Sequence, residues 1–211
     1  MGISVVCQRL SRVIDELFAD MKGKYVFNFV DDLVVYSPSI EEYEVHVRVV
    51  LTRLQKAGFT LNPDKVTLSA TEIKYLGHLL SSRRIKIQPD RVAAIQQYPR
   101  PTNLRTLRRF MGMVEFYARF FPNYSNKAAV LHSLKKGVLF AWCDEHQAAF
   151  EALKQALCGA MVLQIPDFNK EFVLVTNASD VAVSAILHQR VGGELAPISY
   201  YSRLLTGAER K

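Results

Sequence analysis

Apolar positions recur at two periods along the chain, and the changes of period mark out its elements. Val6, Leu10, Val13, Ile14, Leu17 and Phe18 fall at helical spacing and give way to Lys22-Gly23-Lys24, which predicts a helix over 5–19. Two short β-branched and aromatic runs, 25–30 and 33–36, are separated by Asp31 and Asp32 and predict a hairpin. Ser39 and Glu42 fit a capping box, which opens a helix whose stripe is Tyr43, Val47, Val50, Leu51 and Leu54 and which Gly58 ends. After Asn62-Pro63, apolar runs at 66–68, 75–80 and 85–87 predict a small strand meander.

From Pro89 the helical period returns. A helix through Val92 and Ile95 ends at Tyr98-Pro99, because a residue before proline is pushed out of the helical region. Thr102 or Asn103 caps a second helix with the stripe Leu104, Leu107, Phe110, Met111, Val114 and Tyr117. Arg105, Arg108, Arg109 and, a turn later, Arg119 lie on its opposite arc. A third helix over 144–157 is capped by Asp144 and preceded by Trp142. Beyond Pro166 the period becomes two, with Phe172, Leu174, Val181, Val183 and Ile186, so the last stretch reads as a β unit with little room to finish. The fold class is α+β.

Composition adds a partner class. The 211 residues are 49% hydrophobic and 22% charged, an ordinary globular mixture. The net charge of +7 is concentrated. Residues 1–70 hold 8 basic and 9 acidic side chains, 71–140 hold 13 and 3, and 141–211 hold 6 and 8, so the middle third carries the whole surplus. Such a segment fits either a polyanion such as nucleic acid or a solvated basic face. Cys7, Cys143 and Cys158 form no CxxC pair, which excludes a disulfide scaffold and a structural zinc site. No signal peptide or membrane-spanning run is visible, and an intracellular protein, cytoplasmic or nuclear, is expected.

Two carboxylates on a rigid hairpin, Asp31 and Asp32, are a means of holding the cations of a two-metal phosphoryl-transfer site, although the same dipeptide between strands also serves as a plain turn. Its context resembles a known family. Phe29-Val30-Asp31-Asp32 is similar to the Tyr/Phe-x-Asp-Asp box of reverse transcriptases, and the flanks resemble the Pol polyprotein of gypsy-type long-terminal-repeat retrotransposons. These flanks are Cys7-Gln8-Arg9-Leu10, the segment from Ala57-Gly58 to Asn62-Pro63-Asp64-Lys65, and Tyr75-Leu76-Gly77-His78. Pro99-Arg100-Pro101-Thr102-Asn103 and Phe140-Ala141-Trp142, with Ala149, Phe150, Leu153 and Lys154, continue the match in order.

The resemblance implies a partial reverse transcriptase palm with a primer-grip hairpin over 1–88, thumb and connection helices over 89–140, and a truncated ribonuclease H-like α/β module over 141–211. It implies that Asp31 coordinates the catalytic Mg²⁺ ions and Asp32 supports the same acidic site. Lys65 is placed near the leaving pyrophosphate, and Leu76, Gly77 and His78 at the primer terminus. Arg105, Arg108 and Arg109 track the phosphates of an RNA/DNA template–primer duplex, with deoxynucleotides as substrates of the parent polymerase. Lys65 read by itself is equally a surface lysine, and His78 a strand-edge side chain.

Two departures shape the expected activity. The family's first palm aspartate and fingers precede the stretch that begins at Met1, and Asn177 stands where the ribonuclease H family has a carboxylate metal ligand; Asp180 is not promoted to a ligand. The expectation is therefore a transposable-element polyprotein fragment, truncated at both ends, that neither polymerises nor cleaves RNA as an isolated chain. The alternative is a non-catalytic nucleic-acid-binding remnant or domesticated module.

Overall fold

The computed structural model describes residues 3–29, 32–134 and 140–210. Helix α1 (Ile3–Leu17) forms where the apolar spacing predicts it. Strands β1 (Val26–Phe29) and β2 (Asp32–Val35) pair antiparallel, with Phe29 opposite Asp32 at the end of the ladder. Asp32 thus belongs to the strand and not to the connection. Helix α2 (Ile40–Lys56) opens with Ser39 Oγ accepting the Glu42 N–H at 3.2 Å. It closes where Gly58, at φ +80, lets the Gly58 and Phe59 N–H groups reach the Gln55 and Leu54 carbonyls at 3.0 and 2.9 Å. Ile14, Phe18, Met21, Val26, Val50 and Leu54 make the core between these elements. Leu51, predicted on the same stripe, is 40% exposed.

The strand predicted at 66–68 is absent. A single 3₁₀ turn at Pro63–Lys65, in which Asn62 Oδ1 accepts the Asp64 N–H at 3.0 Å, occupies the approach, and Val66 and Leu68 follow it exposed and outside any strand. These elements form one unit, Met1–Ala70, and the remainder forms a second, Thr71–Lys211. The meander β3 (Glu72–Tyr75), β4 (His78–Ser81) and β5 (Arg84–Ile87) goes with the later chain because β5 also pairs with β6 (Leu163–Gln164), closing a four-stranded sheet across 80 residues of sequence.

In the second unit, α3 (Pro89–Gln96), α4 (Leu104–Phe116), α5 (Tyr124–Leu134) and α6 (Asp144–Cys158) share one core. Asn103, not Thr102, caps α4: its side chain accepts the Thr106 N–H at 2.9 Å, while Thr106 Oγ1 accepts the Asn103 N–H at 3.2 Å. Leu107, Phe110, Met111 and Val114 are completely buried, as the period predicts, and Phe110 meets Phe150 of α6 with ring centroids 4.5 Å apart. The cap of α6 is Cys143 and not Asp144. The Cys143 N–H donates to His146 Nδ1 at 3.1 Å, which leaves Asp144 and Glu145 in the first turn, where carboxylates favour the helix dipole.

The final stretch completes a three-stranded antiparallel meander, β7 (Phe172–Ala178), β8 (Ala182–Val191) and β9 (Glu194–Leu204), in which β8 is central. Strand β9 lies against α5, where Ser125 donates its N–H to Ser202 Oγ at 2.9 Å and its hydroxyl to the Ser202 carbonyl at 2.8 Å. The buried Gln189 bonds the Asp167 N–H and the Asp167 and Lys170 carbonyls, fastening the loop before β7 to β8. Alternating burial does not reach β7, where Leu174 and Val175 are both exposed.

Phe110→Ala, which empties a packed site, is expected to destabilise the second unit by about 3–5 kcal/mol, and Asn103→Ala by about 1 kcal/mol through the lost cap. Urea denaturation followed by circular dichroism measures both.

Candidate nucleic-acid interface

The hairpin of β1 and β2 presents Asp32 at the first position of β2, exposed and paired with Phe29. Val30 and Asp31 lie outside the described residues. Within β1, Asn28 is buried and donates from Nδ2 to Asp15 Oδ1 at 3.0 Å, which ties the strand to α1. Lys65 ends the 3₁₀ turn of the same unit with an exposed side chain, and no hydrogen bond or ion pair joins it to Asp32. Among the described residues no group of three or more His, Cys, Asp or Glu could hold a metal ion.

The second unit brings its predicted residues together more closely. Leu76 and Gly77 form the two-residue turn between β3 and β4, and both have positive φ, +46 and +80, the pairing that suits the right-handed twist of a hairpin. His78 faces Tyr75 across the ladder, and its Nδ1 lies 3.0 Å from the Leu76 carbonyl. Its ring packs against Phe116, Tyr117 and Phe120 at centroid distances of 5.5, 5.7 and 5.4 Å. Gln88 secures the other side: its N–H donates to the Gly77 carbonyl and its Nε2 to the His78 carbonyl, both at 3.2 Å. The turn is thereby seated on the C-terminal end of α4.

Along α4 the rotation is fixed by the buried stripe, and Arg105, Arg108 and Arg109 emerge together on the exposed arc. None of them is engaged by a carboxylate among the described residues. Lys74 and Lys86 are different, since Asp90 and Glu72 pair with them at 3.4 and 3.7 Å. Phe116, 56% exposed, and Leu76, 41% exposed, set apolar surface at the junction of helix and turn. Phe116 and Gln88 are contributors that sequence reading missed. Phe116 is off the apolar stripe, and Gln88 shows its role only once the strand register is known. Asn177 lies exposed within β7 opposite Ser184, and Asp180 in the following turn; neither belongs to a metal-ligating group.

Burial lowers the pKa of His78 below its ordinary 6.5, with Arg119 adding to that effect and the contact to the Leu76 carbonyl opposing it. As pH falls, the unfolded chain takes up this proton before the folded one does. The contribution of neutral His78 is therefore complete above about pH 6.5 and is lost as pH falls toward the lowered folded value. The melting temperature of the wild type is expected to drop further between pH 7.5 and 5.5 than that of His78→Gln, and equal drops in thermal melts would contradict the packing described.

Residues 1–80 match the family described as reverse transcriptase (RNA-dependent DNA polymerase), and residues 142–211 match the RNase H-like domain found in reverse transcriptase. The retrovirus-related Pol polyprotein from transposon opus of Drosophila melanogaster is 33% identical over 211 residues, which covers 94% of this chain and 21% of that protein. The transposon Tf2-3 polyprotein of Schizosaccharomyces pombe is 31% identical over 210 residues, 99% of this chain and 16% of that one. Among solved structures, the foamy viral protease-reverse transcriptase dRH in complex with ds DNA superposes with a TM-score of 0.85 at 25% identity, covering 95% of this chain and 35% of its own. The complex of foamy viral protease-reverse transcriptase with RNA/DNA hybrid gives 0.82 at 25% identity over 95% of this chain and 27% of its own. The chain thus spans about a fifth of the length of the curated relatives it matches.

Proposed function

The chain belongs to the reverse transcriptase family as a stretch of a retrotransposon Pol polyprotein, and from that premise we propose that it serves RNA-directed DNA synthesis by holding a template–primer duplex. The observation that carries this reading is α4: three exposed arginines, with no acidic partner among the described residues, share one arc opposite a completely buried stripe, on a helix whose end is packed against a hairpin turn. Guanidinium groups spaced along a rigid helix match a row of phosphates, and the contacts they make are indifferent to sequence. Leu76, Gly77 and His78 sit at the primer terminus, with Gly77 allowing close backbone approach. Asp31 and Asp32 are the acidic contribution to the divalent-metal chemistry on which the family depends, and Lys65 lies near the leaving pyrophosphate. The two foamy viral structures, one with ds DNA and one with RNA/DNA hybrid, support a duplex as the ligand class. Asn177 marks the ribonuclease H-like segment as degenerate, since a neutral amide replaces a charge that a Mg²⁺ site favours.

Fluorescence anisotropy with a template–primer duplex at several salt concentrations tests the reading. Binding is expected to weaken steeply with salt, and Arg108→Ala combined with Arg109→Ala is expected to flatten the slope of log K against log[salt] by about 2, one for each phosphate contact removed. Salt-independent binding, or a slope unchanged in the double variant, contradicts it.

A further inference from the structure

Residue 77 and residue 117 meet across 40 positions of sequence. The Tyr117 hydroxyl donates to the Gly77 carbonyl at 3.3 Å, the same oxygen that accepts the Gln88 N–H. Burial raises the pKa of this phenol, so the hydroxyl keeps its proton and remains a donor. The ring is 5% exposed, stands edge-on to His78, and is packed between Phe116 and Phe120 at 4.9 and 6.2 Å, so it has no room to swing away. On the other side of the contact, a Cβ at Gly77 would stand 2.7 Å from the Tyr117 oxygen, while the next nearest atoms are at an ordinary 3.8 Å. The phenol oxygen therefore fills the space that any side chain at 77 needs, and glycine is required there twice, for its φ of +80 and for that approach.

We infer that Tyr117 is a positioning residue that locks the Leu76-Gly77 turn to the end of the arginine-bearing helix, so that the turn and the arginine face meet a nucleic acid as one rigid surface. The inference deepens the template–primer reading and, for its binding consequence, rests on it. The same stripe that aims Arg105, Arg108 and Arg109 outward ends in Tyr117, which converts the rotation of α4 into the position of the turn. A primer strand whose phosphates lie along α4 is then delivered to the turn at a set distance, without a separate ordering step when it binds. The lock predicts a preference for a duplex with a recessed 3′ end over a blunt duplex, because a recessed end engages both surfaces.

The test is a set of four chains, wild type, Gly77→Ala, Tyr117→Phe and the double variant, each titrated with labelled recessed and blunt duplexes of equal length and each melted thermally. Gly77→Ala is expected to weaken recessed-end binding about tenfold and to lower the melting temperature. Adding Tyr117→Phe removes the one clashing atom, and the double variant is expected to recover most of both losses, the remainder reflecting the left-handed backbone at an alanine. Tyr117→Phe alone keeps the ring and is expected to reduce the recessed-to-blunt preference about threefold, the scale of one hydrogen bond. A double variant no better than Gly77→Ala in melting and binding, or an unchanged preference in Tyr117→Phe, overturns the lock. If the wild type binds neither duplex, the template–primer reading falls, and the recovery or non-recovery of the melting temperature still decides whether Tyr117 and Gly77 are locked.

Discussion

The burial of one face of α4 is the constraint from which the rest of the second unit follows. Leu107, Phe110, Met111 and Val114 have no solvent exposure, and packing at that density fixes the rotation of a helix to within a side chain's width. Arginines at 105, 108 and 109 then have one direction left to them, outward. Tyr117, one residue past the last helical position, is carried into the groove beneath the Leu76-Gly77 turn. A charged face and a hairpin turn, which in the sequence lie some thirty residues apart, become parts of one surface because a hydrophobic stripe permits one arrangement.

The sheets extend the same logic. Strand β5 belongs with the helices because β6, supplied from beyond α6, pairs with it, and Ile85 and Leu163 are opposite each other in that pairing. Ser125 and Ser202 join α5 to β9 by direct hydrogen bonds. The turn and the arginine-bearing helix of the second unit are in this way backed by strands and helices held to one another through residues distant in sequence. In the first unit the equivalent fastening is between helices: the Arg53 guanidinium bonds both oxygens of Asp20 at 2.5 and 2.7 Å and the Leu17 carbonyl at 2.9 Å, which holds the end of α1 to α2 beside the aspartate hairpin.

Much of this was legible in the order of residues, for physical reasons that differ from element to element. The stripe of α4 was readable because six apolar side chains repeat at 3.6, and the arginine arc followed as its complement. The hairpin at Asp31 and Asp32 was readable from two β-branched runs, whereas its inclusion of Asp32 in the ladder depends on register, which local pattern does not specify. Val66 to Leu68 has strand-forming residues and no strand, since a ladder needs a neighbour that only the tertiary fold supplies. Cys143 is not a residue type expected at a helix start, and its role rests on the reach of His146. Tyr117 was visible as a core residue and not as a lock, because its partner is 40 residues away and the signal at Gly77 is the absence of a side chain.

The most direct measurement of the central claim, that the turn and the arginine face of α4 form one duplex-holding surface, is hydrogen–deuterium exchange of the whole chain with and without a recessed template–primer duplex. The account predicts added protection at residues 76–78 and 105–119 together, rising in parallel as duplex is titrated, with β7 around Asn177 unchanged. Protection confined to β7, or protection of one of the two segments without the other, would contradict it.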